Sequence, residues 1–183
     1  FDNRLNTLIR FPYNYENKTY KIPEGIKHIE SNAFADCINL KSVDIPQSIH
    51  NIPTGTFSGC KNLDIIDLPD SITLIDTSAF ENCKALTSID LSRKLTYIGK
   101  DAFCLCTSSI QVLLGKIEIP QHVRTIESDT FAGCTSLKNI TLPYSTTELY
   151  RSAWANCDSL ERIDVSEDNL EYKSIDGVLF NKD

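Results

Sequence analysis

Seven cysteines, three histidines and 25 acidic side chains are the groups in this chain that could do chemistry. Their spacing argues against most of it. A zinc site wants two cysteine pairs, each closely spaced in sequence. Cys104-Leu105-Cys106 is the one close pair and has no matching second pair, so neither a metal nor a cofactor is expected. His28, His50 and His122 do not share a register with one another. The chain has no Gly-x-Ser-x-Gly, no phosphate-binding loop and no His-Glu-x-x-His. A carboxylate becomes a general acid only where a shielded pocket raises its pKa, and nothing here promises one. No catalytic residue is expected, which leaves binding as the chemistry of the surface.

Six of the cysteines do share a register. Each lies three residues after an aromatic side chain: Phe34/Cys37, Phe57/Cys60, Phe80/Cys83, Phe103/Cys106, Phe131/Cys134 and Trp154/Cys157. Successive pairs are 23 residues apart, except for one step of 28. A fixed period in this range marks a stacked, quasi-one-dimensional fold. After each cysteine come a leucine and an alternating apolar pair, as in Leu63-Asp-Ile-Ile66-Asp-Leu68-Pro69. The alternation predicts a short strand, and the proline often found next ends it. A second apolar pair follows at three-residue spacing: Ile26/Ile29, Ile49/Ile52, Ile72/Ile75, Leu95/Ile98 and Val123/Ile126. The aromatic-x-x-Cys segment is predicted to be a turn of α- or 3₁₀-helix. The expected fold class is an α/β repeat solenoid of about six 23-residue coils, a right-handed superhelix with a parallel sheet on one face.

The pattern I-x-x-I-x-x-x-A-F-x-x-C-x-x-L-x-x-I-x-L-P, nearly complete in the stretch from Ile75 to Leu91, resembles the BspA-like (Treponema pallidum-type) class of leucine-rich repeats. The resemblance covers about Tyr20 to Val165. It implies a cell-surface or secreted protein engaged in adhesion and host interaction. It also implies a linker module of the form dG-V-L-F-N-K-D…L-I-x-x-P between repeat blocks. The C-terminal Asp176-Gly177-Val-Leu-Phe180-Asn-Lys-Asp183 and the N-terminal Phe1 to Pro12 look like two pieces of such a module. A longer array running in both directions is therefore the expectation. Three segments follow: an N-terminal cap or linker tail over 1–19, the solenoid over 20–165, and over 166–183 a hairpin around Asp176-Gly177, a strong turn signal.

Composition bounds the partners. Hydrophobic residues make up 41% of the chain, charged residues 23%, and the net charge is −7. That is an ordered chain, without the clustered Lys and Arg that nucleic acid or an anionic membrane surface would need. No run of 18 apolar residues is present, so direct membrane insertion is not expected. A monomer is expected.

The six periodic cysteines read as buried free thiols filling small apolar gaps, with rung-to-rung disulfides as the alternative. Cys104 stands where other copies have Ala35, Ser58, Glu81, Ala132 and Ala155, so it should be the most exposed. Three further features point to a surface that binds. The outward residue of the predicted strand is acidic in Asp44, Asp67, Asp90, Glu118 and Asp164, with Thr141 as the exception. Stacking would align these as an acidic column, either a contact for a basic partner or weak cation site, or a well-solvated edge. The long repeat places its five extra residues within Thr107 to Leu113, carrying Ile110, Val112 and Leu113. Insertions in repeat arrays map to loops on one face, though these apolar residues could instead fold back over the adjacent coil. The tyrosine-rich stretch from Phe11 to Tyr20 reads as a cap on the open end, or as an aromatic contact surface. Lys116, Asn139 and Arg162 are variable positions beside the acidic column. The function expected is a non-catalytic recognition or adhesion module, binding a protein or glycan on a host or neighbouring cell. The alternative is a structural spacer with no ligand of its own.

Overall fold

The computed structural model describes residues 6–107 and 116–182, and shows a solenoid built from strands and turns, with no helix among the described residues. The expected α/β class is thus corrected to an all-β coil. One face carries seven parallel rungs. Four of them pair in order: β2 (Thr19–Lys21), β4 (Ser42–Asp44), β6 (Ile65–Asp67) and β8 (Ser88–Ile89). The other three form a separate sheet: β10 (Lys116–Glu118), β12 (Asn139–Leu142) and β14 (Arg162–Val165). Register is set by the repeat. Val43 pairs with Ile66 and Ile66 with Ile89, and all three point inward while Asp44, Asp67 and Asp90 face solvent.

The apolar pairs at three-residue spacing form a second face of two-residue strands. β1 (Thr7–Leu8) pairs with β3 (His28–Ile29). β5 (Asn51–Ile52), β7 (Leu74–Ile75) and β9 (Tyr97–Ile98) form a second group, and β11 (Thr125–Ile126) pairs with β13 (Glu148–Leu149). Such short strands show no two-residue period, which is why the sequence did not disclose them.

The third face is the aromatic-x-x-Cys segment, which is a ribbon of linked turns rather than a helical turn. Its amides alternate in purpose. Phe34, Asp36, Phe57 and Gly59 each donate to a carbonyl of the next coil at 2.8–2.9 Å, while Ala33, Ala35, Cys37, Ser58 and Cys60 close three-residue turns within their own coil at 3.0–3.1 Å. Re-aiming every second amide along the solenoid axis requires a left-handed residue on each side of the phenylalanine. Asn32 and Asp36 flank Phe34 in that conformation, as Gly55 and Gly59 flank Phe57, and Ser78 and Asn82 flank Phe80. Asn, Asp and Gly tolerate this region. A helix would direct all its amides back along its own turn and leave the neighbouring coil unpaired.

The core is a column. Phe11, Phe34, Phe57, Phe80, Phe103 and Phe131 stack with ring centroids 4.8–5.6 Å apart, and the planes become nearly parallel (1–3°) between Phe80 and Phe131. Phe11, Tyr15 and Tyr20 cluster at the N-terminal end, where Phe11 lies 4.8 Å from Tyr15 and 4.6 Å from Tyr20. The cysteines form a ladder beside the rings. Cys60 Sγ donates to the Phe34 carbonyl at 3.0 Å, and Cys83, Cys106, Cys134 and Cys157 repeat the bond to Phe57, Phe80, Phe103 and Phe131 at 3.1–3.2 Å. Each of these phenylalanine carbonyls also accepts the amide of the cysteine three residues on. Cysteine suits the site because it is small, largely apolar and still a weak donor to the carbonyl's second lone pair.

At the other end the core turns polar. The inward position held by Ile26, Ile49, Ile72, Leu95 and Val123 becomes Thr146 and then Asn169, both fully buried. The Asn169 side chain donates to the carbonyls of Pro143 and Thr146 at 2.9 and 2.8 Å and accepts the amides of Glu171 and Tyr172 at 2.9 and 2.8 Å. With all four bonds made inside the column, this buried amide is fully satisfied. β15 (Tyr172–Ile175) and β16 (Val178–Asn181) then form an antiparallel hairpin. Its turn residues Asp176 and Gly177 both have positive φ, 52° and 84°, as a primed two-residue turn requires.

Candidate functional site

The strand face opens between β8 and β10. Among the described residues the ladder of the strand face does not cross this junction, and on the second face β9 and β11 are neighbours that, like β3 and β5, form no assigned pair. The turn ribbon does cross it: Phe103 N–H donates to the Thr130 carbonyl and Leu105 N–H to Ala132, both at 2.8 Å, and the Phe103 and Phe131 rings stay stacked. The turn face is therefore continuous through the junction, while among the described residues the ladder of β8 does not continue into β10. In sequence, the five extra residues of this repeat lie between Cys106 and β10.

The opening on the strand face is a cleft of about 1100 Å³. Asp90, Arg93, Lys116, Glu118, Lys138 and Asn139 line it, over a floor that includes Ile89 and Ile117. Backbone groups also face it. Ile22 N–H donates forward to Asp44, and Ser42 N–H donates backward to Lys18. Inward positions of these rungs thus bond to the next coil and outward positions to the preceding one. By that alternation the amides of Ile89 and Leu91, and the edge of β10 at Lys116 and Glu118, point into the cleft. Asn139 Oδ1 is buried without a hydrogen-bond partner, an acceptor that a bound donor would satisfy.

The sequence-nominated residues fall into two groups. Asp44 and Asp67 are aligned neighbours, and Asp90 follows just beyond the end of β8. Across the junction Glu118, Thr141 and Asp164 are aligned. The acidic residues thus form two short rows. Three of the five have a cation at hand: Lys21 for Asp44 at 3.1 Å, Lys116 for Glu118 at 2.6 Å and Arg162 for Asp164 at 2.8 Å. Hydrogen bonds from Lys116 and Arg162 lower the pKa of Glu118 and Asp164, each aided by the partner's charge. That offset explains how a row of like charges is tolerated, though exposed pairs of this kind contribute little to stability. Asp90, Glu118, Lys116 and Asn139 are brought together at the cleft; Asp44, Asp67, Asp164 and Arg162 lie on the flanking rungs. Ile110, Val112 and Leu113 lie outside the described residues.

All seven cysteines are free thiols, and Cys104 alone is not fully buried. Burial raises its pKa to about 11, with Asp101 and Glu81 adding to the shift. Among the described residues no three His, Cys, Asp or Glu side chains converge to hold a metal ion. Because the thiolate is the reactive form, Cys104 should react slowly at pH 8 and faster at pH 9, where the fold is still intact. The six ladder thiols should react only after unfolding. Mass spectrometry of iodoacetamide-treated native protein checks this; rapid labelling of several sites at pH 8 would contradict the ladder.

The architecture just described defines the class: a β-solenoid of the leucine-rich-repeat type. The chain belongs to the BspA type leucine rich repeat region family, whose model matches residues 10–114 and 110–182 with six copies. Its structure is similar to that of a Treponema pallidum leucine-rich repeat protein: 28% identity and a TM-score of 0.76, over 90% of this chain and 74% of that one. A leucine-rich repeat protein from Bacteroides ovatus matches at 30% identity and a TM-score of 0.73, over 82% of this chain. A leucine-rich cell surface protein from Faecalibacterium prausnitzii matches at 28% identity and 0.58, also over 82%. This chain spans 38% of the Bacteroides protein and 48% of the Faecalibacterium one. No curated protein matches the sequence. These matches indicate no enzyme family. No helix among the described residues is long and apolar enough to cross a membrane.

Sequence reasoning missed two features here: the parting of the coils, and the polar end of the core. The first had a trace in the 28-residue step, but length alone does not say on which face a coil opens. The second was readable in the succession Val123, Thr146, Asn169 at one register.

Proposed function

We propose that this chain is a non-catalytic recognition module of a cell-surface or secreted protein, taking a protein or glycan partner on its strand face at the junction of β8 and β10. The observation that supports the reading is the cleft, which gathers four of the residues singled out from the sequence around two strand edges that pair with each other in no described ladder, and an unsatisfied buried acceptor. Edges of this kind accept an extended segment by strand addition, and the fixed charges at its rim, Asp90 and Lys116 among them, would select the partner.

Association should respond to the acidic row. In a screen of the chain against printed extracellular-matrix and serum proteins and glycans, a protein ligand is expected to bind more slowly to the Asp67→Asn/Asp90→Asn variant, with a flatter dependence on salt. The dissociation rate should change little. Surface plasmon resonance at low and physiological salt measures both. A screen with no ligand, or a ligand that binds parent and variant alike, would favour a spacer role instead.

A further inference from the structure

A second groove lies on the other strand face, around the corner from the cleft, and the turn at Gln121 borders both. Its volume is about 630 Å³, within the range of small-molecule sites, and it is half open to solvent. It runs over the neighbouring strands β9 and β11. Tyr97 of β9, Thr125 of β11, the Tyr144–Ser145 turn, Leu170 and Glu171 line it.

Its lining has an unusual balance. Tyr144 is 51% exposed and Leu170 82% exposed, so apolar surface is offered to solvent. Between these lie hydroxyls and an amide, including Thr125, Thr147 and Gln121, which both donate and accept. The charges at its edge, Arg124 and Glu171, are of opposite sign, and no cluster of one charge would select an anion or a cation.

The backbone on either side of the exposed leucine is held in place. Its neighbour Asn169 is buried and bonded on both sides of its amide, the Lys182 ammonium donates to the Asn169 carbonyl, and the Tyr172 hydroxyl donates to the Thr147 carbonyl at 3.4 Å. A rim fixed this firmly does not have to be ordered when a ligand arrives, which removes one cost of binding.

We infer that this groove is a binding site for a neutral oligosaccharide. A sugar ring presents an apolar C–H face and a rim of hydroxyls that donate and accept in turn. The tyrosine ring and Leu170 match the face, while the threonine, serine and glutamine groups match the rim. The site is distinct from the strand-face cleft, so its test stands apart from the function proposed above.

The intact chain, fluorescently labelled, is applied to a printed array of neutral hexose, N-acetylhexosamine and fucose oligosaccharides, beside sialylated and sulfated glycans and matrix proteins. Binding to one or more neutral oligosaccharides is expected. Titration of the strongest should show Tyr144→Ala weakening it about tenfold, from the loss of one aromatic contact. Tyr144→Phe, which keeps the ring, should stay within about twofold, and Tyr13→Ala, exposed at the N-terminal end, should have no effect. Circular dichroism verifies the fold of each variant; if Tyr144→Ala fails that check, Leu170→Ser is read in its place. Binding confined to sialylated or sulfated glycans or to proteins overturns the proposal, as does no glycan binding, or unaltered affinity in Tyr144→Ala.

Discussion

Replacing Phe80 by alanine is expected to cost about 3–5 kcal/mol, a large share of the stability of a domain this size. The ring is fully buried and stacks at 5.3 Å on both Phe57 and Phe103. Removing it leaves a void in the middle of the column, bounded by two hydrogen-bonded turn ribbons that hold their spacing and cannot collapse into it. Trp154→Ala should cost less than half as much. Trp154 is only half-buried and lies near the end of the array, where a coil frays with fewer neighbours. Urea denaturation of the two variants, followed by circular dichroism, measures both. Equal losses, or a loss below about 1 kcal/mol at Phe80, would mean that the aromatic column is not what couples the coils.

The chain should also unfold in mild alkali. Burial pushes the Cys60 thiol up to about 12 and the thiols of Cys83, Cys106 and Cys134 well above the ordinary value of 9.0. A thiolate there would sit in apolar surroundings and would no longer donate to a phenylalanine carbonyl. The direction follows by linkage. Below pH 9 these groups hold their protons whether the chain is folded or not, and stability is unaffected. Between the unfolded value of 9 and the raised folded values, only the unfolded chain releases them, so stability falls as pH rises. Each thiol contributes a slope of about 1.4 kcal/mol per pH unit, and four together reach about 5 kcal/mol per unit. Against a stability of about 5–15 kcal/mol, the chain should resist urea equally at pH 7 and 8, weaken at pH 9.5, and be largely unfolded by pH 11. A Cys83→Ala/Cys106→Ala variant separates thiols from tyrosines and lysines: it should start less stable at pH 7 but lose stability more gently above pH 9. Identical slopes in variant and parent would assign the alkaline sensitivity elsewhere.

The family expectation drawn from the sequence was met, because the residues that define the repeat are those that face the column. Phe80, Cys83, Leu86 and Ile75 recur because each must rest on its own copy in the next coil, and such a demand writes itself into the sequence at the coil's period. The acidic outward positions were legible for the same reason, since alternation along a strand fixes which residue leaves the core. The helix expected in the aromatic segment was an error of period. Three-residue spacing also fits consecutive turns, and the choice between them lay in the left-handed residues Asn32, Asp36, Ser78 and Asn82, whose amides reach the next coil.

The sequence by itself determined the coil, its period, its interior and its solvent-facing rows, because these rest on contacts repeated identically from rung to rung. Tertiary structure alone decided where the stack parts and what gathers there. Lys116 and Asp90 reach the same cleft from the two sides of the insertion, and Tyr97, Thr125, Tyr144 and Leu170 reach one groove from four different stretches of chain. No period links such residues. They meet because hydrogen bonds between distant segments hold the coils together on the turn face while β8 and β10 share no ladder among the described residues, an arrangement that no local preference of the chain sets.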